Sequence, residues 1–354
     1  MSNGHIMIMA GGTGGHVYPA LAVANALRNN QTQVTWLGTR KGLEAKVVRE
    51  NNIDIEWISI EGLRGKGLLS WFSAPIKLLR AVWQSVQAIR KTRPDCVLGM
   101  GGFVSGPGGL ATRLTGKPLI VHEQNAVAGL TNKYLAKFAR RVLSGFPNTV
   151  DLPKYATWVG NPVRKEIKPS KEIVSASNEI NVLVVGGSQG AYSLNKHLPE
   201  HFAKQNALVN VWHQTGRGRA EEVTKDYSEL NIGAKVSEFI DDMAAAYAWA
   251  DLLVCRAGAM TVAECCASGK PALLIPYPFS AGDHQDRNAE FMAQQGAAKI
   301  ISNDHLTSAS SLSELTELLE DKAQLEKMGQ IALALHKPNA LQDVVSVCKE
   351  FLNA

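Results

Sequence analysis

No apolar run in this 354-residue sequence approaches the ~18 residues that a membrane-spanning helix needs. The N-terminus carries no basic stretch followed by an apolar one. By His5 it already reads as a strand, so neither a signal peptide nor a transmembrane helix is expected. Cysteine is scarce: five residues, none in CxxC spacing, which reads as reduced thiols of a cytoplasmic protein. There is no Cys/His cluster with zinc spacing, no DxD triplet and no HExxH, so no metal site is expected. The nearest sequence to that last motif, "HLPEH" (His197–His201), contains a proline and reads as surface residues. Walker A is absent as well. What is present is ordinary globular material: 45% hydrophobic and 19% charged residues, enough for about two domains of roughly 150 residues.

Charge is unevenly placed. Residues 1–160 hold 19 basic and 8 acidic side chains, a surplus of 11, whereas residues 161–354 hold 18 and 24, a deficit of 6. A basic first half implies an anionic partner there: nucleic acid, membrane surface or phosphorylated substrate.

Short apolar strands alternate with stretches of helical length. His5–Ala10, Val34–Gly38, Ile55–Ile60, Cys96–Met100, Pro118–His122 and Arg141–Leu143 read as strands, with helices such as Pro19–Asn29 and Glu44–Asn51 between them. Four prolines and a polar run over 146–179 mark a domain junction. The alternation then restarts with Asn181–Val185, Val209–His213, Lys235–Phe239, Leu252–Cys255, Ala272–Pro276 and Ala298–Ile301. Such alternation predicts an α/β chain of two doubly wound parallel sheets. "IMIMAGGTGGH" (Ile6–His16) and "VLVVGGSQGA" (Val182–Ala191) open the two halves alike. Ligands of such sheets bind beyond the carboxyl ends of the strands, so two sheets facing across a cleft would hold two ligands.

The glycine-rich turns Gly11–Gly15, Gly99–Gly109 and Gly186–Gly190 each follow a strand, where backbone N–H groups and a helix N-terminus suit phosphate. The nicotinamide or flavin alternative wants an acid at the end of the next strand to hold a ribose. Those strands end in Leu37-Gly38-Thr39 and Trp212-His213-Gln214, without a carboxylate. After another strand, "RAGAMTVAE" (Arg256–Glu264) starts a helix near Met260. Thr261 and the free N–H groups are placed to cap it and bind phosphate, and Glu264 to accept a ribose diol. His16, at the head of the first helix, is a candidate general base, and Glu123 is another. Asn125 follows Glu123 on the same side.

Gly62–Pro94 contains seven basic residues and no acid. Within it Phe72, Ile76, Leu79, Trp83 and Val86 share one helical face, preceded by Leu68, Leu69 and Trp71. Two readings stand: an aromatic and aliphatic stripe for an anionic bilayer, or the buried face of a helix covering a sheet.

"GGTGGHVYPALAVA" (Gly11–Ala24), "GLRGKG" (Gly62–Gly67), "GMGGFVSGPGGLA" (Gly99–Ala111), "HEQNAVAGLTNK" (His122–Lys133), "GNPVR" (Gly160–Arg164), "GGSQGA" (Gly186–Ala191), "EFIDDMAAAYAWAD" (Glu238–Asp251) and "CRAGAMTVAE" (Cys255–Glu264) together resemble the MurG family of glycosyltransferases. The resemblance implies a GT-B fold, with residues 1–160 plus a C-terminal helix of about 340–354 facing acceptor and membrane, and residues 161–339 binding UDP-GlcNAc. It implies an inverting transfer of GlcNAc from UDP-GlcNAc to lipid I, giving lipid II for peptidoglycan. It also implies no cofactor and a peripheral place on the cytoplasmic face of the bacterial inner membrane. The implied partners are the two substrates, the anionic inner-membrane surface and proteins of the cell-wall machinery, but no nucleic acid. By motif, Thr13, Gly14 and Gly15 fall near the donor sugar and the acceptor phosphates, and Asn125 on the donor sugar. Arg164 and Ser188 line the nucleotide site, and Ile240 offers its backbone to uracil. Ala259, Met260, Thr261, Val262, Ala263 and Glu264 hold phosphates and ribose, with Arg256 just ahead of them. Gln285 meets the sugar, a role His284 can share, and Phe103 replaces a family tyrosine. The nearest alternative is another enzyme of this fold, such as a UDP-GlcNAc epimerase, which needs no lipid acceptor.

Overall fold

The computed structural model describes residues 4–60, 68–169, 179–187, 191–205, 208–306 and 308–352. The chain divides into two compact units, Met1–Val163 with Pro338–Ala354, and Arg164–Lys337.

The first unit is built on seven strands: β1 (His5–Met9), β2 (Gln33–Gly38), β3 (Asp54–Trp57), β4 (Cys96–Gly99), β5 (Leu119–Glu123), β6 (Arg141–Ser144) and β7 (Thr157–Trp158). All pair parallel in the order β3-β2-β1-β4-β5-β6-β7. β1 is buried along its whole length, as expected of a central strand covered on both faces. Its side chains alternate between two cores, Ile6 and Ile8 facing one and Met7 and Met9 the other. β7, two residues long among prolines, is too short for any periodicity to announce it.

The helices of this unit are α1 (Gly14–Asn29), α2 (Glu44–Glu50), α3 (Leu68–Thr92), α4 (Ser105–Leu114) and α5 (Leu130–Leu135). The sequence reads as a helical stretch from Pro19, with His16 at the helix head. The glycine turn itself forms the first turn of α1, with the Thr13 carbonyl accepting from the N–H groups of His16 and Val17 at 3.1 and 3.2 Å.

In the second unit six strands, β8 (Ile180–Val185), β9 (Val209–Gln214), β10 (Ala234–Ser237), β11 (Leu252–Cys255), β12 (Ala272–Leu274) and β13 (Ala298–Ile300), pair parallel as β10-β9-β8-β11-β12-β13. Around them lie α6 (Tyr192–Ala203), α7 (Ala220–Glu229), α8 (Met243–Trp249), α9 (Ala259–Ser268), α10 (His284–Ala293), α11 (Ala309–Glu320) and α12 (Lys322–Leu335). The chain then returns to the first unit as α13 (Ala340–Lys349), which packs on α1 and buries Val344, Val345 and Cys348 in that core.

Both sheets reverse their winding direction beside the first strand, between β1 and β4 and between β8 and β11. Such a switch point opens a crevice at the carboxyl ends of the strands, and each unit presents its glycine-rich turn there.

Two expectations are corrected. His201 is buried, not a surface residue, because its face of α6 packs on the core and its ring bonds to Leu306. On α3 the inward face consists of Ala81, Ser85, Ala88 and Ile89. The apolar stripe points the other way: Ile76, Leu79 and Trp83 are 72, 69 and 62% exposed. The core reading therefore fails for these three residues, although Val86, the last residue of the stripe, packs against the core. Small inward residues let α3 lie against α4 and leave the large apolar side chains outside. The side chains of Leu68, Leu69, Trp71 and Phe72 lie outside the described residues.

Candidate functional site

In the first unit two glycine turns meet at the switch point. Gly102, at φ +80°, lies against the Gly11 carbonyl so closely that any Cβ would collide with it. Gly12 holds φ +93°, a region open to glycine but strained for other residues. The N–H groups of Gly14 and Gly15 have no acceptor within α1, because they belong to its first turn. Thr13 precedes that turn without a side-chain cap, and its Oγ1 lies 3.3 Å from His16 Nδ1. The His16 ring borders Gly101, where a Cβ would stand 2.9 Å from Nε2, and the Phe103 ring borders Gly12. His16 is half-buried at this crevice.

Glu123 ends β5 and is buried. Its Oε1 accepts from the N–H and side-chain amide of Asn125 at 2.9 and 3.0 Å. Its Oε2 accepts from Gly129 N–H at 3.1 Å and Asn132 Nδ2 at 2.8 Å. Four donors on one carboxylate fix the loop 124–129 and cap the start of α5. This corrects Glu123 as a candidate base: both oxygens are engaged in holding Asn125 and α5. Beside it, His122 donates Nε2–H to the Gly160 carbonyl at 3.0 Å and accepts from Gln124 Nε2 at 3.1 Å. Burial lowers its pKa and keeps the ring neutral.

In the second unit the equivalent turn is described as far as Gly187, and Ser188 lies outside the described residues. α9 begins at Ala259, one residue earlier than the sequence suggests, with Gly258 in the N-cap position at φ −64° and ψ 143°. Thr261 is therefore not the cap but a first-turn residue. Ala259, Met260 and Thr261 present their N–H groups without helical acceptors, which suits an anion. Val262 differs: its N–H bonds the Gly258 carbonyl at 2.9 Å and its side chain is in the core. Ala263 and Glu264 follow on the half-buried side.

Glu264 is held by two side-chain donors. Its Oε1 accepts from Arg164 NH2 at 3.1 Å and its Oε2 from the Tyr247 hydroxyl at 2.9 Å, with 13% of the side chain exposed. Burial raises its pKa, and both partners oppose the rise. Tyr247 gives no sign in the sequence, since an aromatic inside "AAAYAW" reads as core.

Arg256, read from the sequence as a donor-site candidate just ahead of α9, bonds within the protein. NH1 donates to the carbonyls of Ile275 and Pro276, both at 3.1 Å, and NH2 to Ser193 Oγ and Asn303 Oδ1 at 2.7 and 2.9 Å. The guanidinium thus ties the end of β12, α6 and the turn after β13 together. Gln285 accepts from Tyr277 N–H at 2.9 Å through Oε1, which leaves its NH2 end as a donor. Ile240 lies half-buried between β10 and α8.

A glycosyltransferase family 28 N-terminal domain matches residues 6–144, and a glycosyltransferase family 28 C-terminal domain matches residues 181–344. A UDP-N-acetylglucosamine–N-acetylmuramyl-(pentapeptide) pyrophosphoryl-undecaprenol N-acetylglucosamine transferase from Halorhodospira halophila is 48% identical over 356 residues, covering 99% of each chain. The crystal structure of Acinetobacter baumannii MurG is similar with a TM-score of 0.84 and 39% identity, covering 98% of this chain and 99% of that one. A putative UDP-N-acetylglucosamine 2-epimerase from Listeria monocytogenes, at TM-score 0.65 and 16% identity over 98% of this chain and 96% of its own, shares the fold alone.

Proposed function

The chain belongs to glycosyltransferase family 28, in its MurG branch, and from that premise we propose which of its residues bind, orient and deprotonate the substrates. It is a glycosyltransferase of GT-B type that moves GlcNAc from UDP-GlcNAc to lipid I, forming lipid II in peptidoglycan synthesis. No helix among the described residues is long and apolar enough to cross a membrane.

The nucleotide-sugar binds the second unit. The observation that carries this is Glu264, held from behind by Tyr247 and presenting a narrow acceptor edge two turns into α9. A vicinal diol is the ligand such an edge suits, and the N–H groups of Ala259, Met260 and Thr261 take the diphosphate. As the glycosidic bond to UDP breaks, negative charge grows on the diphosphate. The helix start stabilises it in place, without reorganisation. Arg164, paired with Glu264, adds a cation, the Ile240 backbone borders uracil, and Ser188, in the glycine turn Gly186–Gly190, lines the nucleotide site by motif. Gln285 directs its NH2 group to a sugar hydroxyl, and Asn125, held by Glu123, offers a second polar contact.

The acceptor binds the first unit, where Thr13, Gly14 and Gly15 open α1. His16 takes the proton from the attacking hydroxyl as it closes on the anomeric carbon, and the configuration inverts. An imidazole is the side chain most often used for such a proton transfer. The unit rests on the anionic cytoplasmic leaflet through the exposed stripe of α3, with Lys77 and Arg80 among the apolar side chains. Incubation with UDP-[labelled GlcNAc] and a lipid I analogue tests the reading: label appears in the lipid product, and an unlabelled lipid fraction overturns it.

A further inference from the structure

The first glycine turn sits on a buried carboxylate that no family motif singles out. Glu44, the first residue of α2, is completely buried. Its Oε2 accepts the Gly12 N–H at 3.1 Å, and its Oε1 accepts the Thr39 N–H and hydroxyl at 3.0 and 2.8 Å. Glycine makes room for it. A Cβ on Gly42 would collide with the carboxylate, and one on Gly11 would press on Oε1 at 3.0 Å. Thr39 follows β2, the place where the sequence shows no acid; the chain instead brings a carboxylate back to that place from α2 and turns it onto its own backbone.

The second unit repeats the arrangement with another residue. Gln214, the last residue of β9, accepts the Gly187 N–H on its Oε1 at 3.0 Å. In both turns the second glycine has positive φ, +93° at Gly12 and +80° at Gly187, and its amide is the one that is held. A clamped amide plane fixes the direction of the peptide that follows, and hence of Thr13 and the first turn of α1.

We propose that Glu44 is a positioning residue for the transfer reaction, acting through the Gly12 amide to set Thr13 and His16 at the head of α1. This rests on the assignment of His16 as the base. The imidazole is carried by the clamped turn, with Nδ1 3.3 Å from Thr13 Oγ1, so a turn that relaxes moves the base from the acceptor hydroxyl. Misplacement of a reacting group by about 1 Å can cost 10²-fold in rate.

The test is a double-mutant cycle. Glu44→Gln keeps the shape and an oxygen for Thr39 but sets an NH2 group against the Gly12 N–H. It is expected to lower kcat roughly 10–100-fold and to leave the Kd for UDP, a ligand of the other unit, within about twofold. Because Glu44 acts through His16, the pair His16→Ala/Glu44→Gln should turn over within about twofold of His16→Ala alone. Residues with independent roles would multiply their losses. Wild-type kcat in Glu44→Gln, multiplicative losses in the pair, or an equal loss of UDP affinity each overturns the inference. Should Glu44→Gln fail to fold, Thr39→Val removes a single donor and serves in the same cycle. A 3–10-fold loss of kcat that vanishes on the His16→Ala background supports the inference, and wild-type kcat overturns it. His16→Ala alone separates the two levels. If it retains full turnover, the base assignment fails and the inference with it; if it is impaired while Glu44→Gln is not, only the role of Glu44 falls.

Discussion

The Tyr247 hydroxyl, on a fully buried ring, donates to Oε2 of Glu264 at 2.9 Å, so a core residue of α8 sets the orientation of the carboxylate offered by α9. Removing the acceptor should weaken UDP binding more than removing its support. Glu264→Ala should cost about 1–3 kcal/mol and Tyr247→Phe about 0.5–1.5 kcal/mol, both read by calorimetry. Unchanged UDP affinity in Glu264→Ala would place the nucleotide elsewhere.

His16→Ala should lower turnover by roughly 10²–10⁴-fold with little change in UDP affinity or melting temperature, since the ring is half-buried. Glu123→Gln should behave differently. Four donors converge on its two oxygens, and an amide can accept at one end only. A stability loss of at least about 2 kcal/mol is expected, with activity lost alongside it. A Glu123→Gln protein with wild-type melting and inactive chemistry would restore Glu123 as a candidate base.

Acid should destabilise the second unit through His213. Its Nε2–H donates to Asn195 Oδ1 at 3.1 Å and its Nδ1 accepts from the Tyr227 hydroxyl at 3.0 Å, and burial pushes its pKa down to about 3. The unfolded chain takes up this proton near pH 6.5 and the folded one only near 3. The unfolded state therefore binds more protons in that window, and stability falls as pH drops through it. The slope approaches about 1.4 kcal/mol per pH unit from this group alone, well below 6.5. Thermal melts from pH 7 to 4 check it. His213→Gln should show a shallower slope from a lower starting stability; an equal slope would assign the acid sensitivity to other groups.

The triple change Ile76→Ser, Leu79→Ser and Trp83→Ser should weaken binding to anionic vesicles while leaving the melting transition in place, because all three side chains are exposed. Binding of the unaltered protein should fall as salt rises without vanishing, since the cationic part is screened and the apolar part is not. Equal binding to neutral and anionic vesicles would reject the electrostatic contribution.

Most strands were legible because each central one is a short apolar run between turn residues, and the two glycine turns stood out by repeating one pattern. β7 was not legible, since two residues carry no period. The sequence offers Arg256 as a donor-site residue just ahead of α9, whereas its two terminal nitrogens bond two carbonyls, a hydroxyl and an amide oxygen. Those partners lie between 19 and 63 positions away along the chain, so no local pattern can reveal them.

Local order determined much of this protein: strand–turn–helix units, glycine where backbone approaches backbone, and the residue types offered at each turn. These depend on neighbours within a few positions, and backbone sterics act at that range. Tertiary structure alone decided which face of α3 meets solvent, because an apolar stripe at helical spacing suits a core and a lipid surface equally. It alone engaged Glu123 as an anchor and tied the terminal nitrogens of Arg256 to distant partners. It alone brought Glu44 under Gly12 from 32 residues away. Hydrogen bonds and desolvation act through space, and the parallel winding of the sheet sets which distant residues share that space.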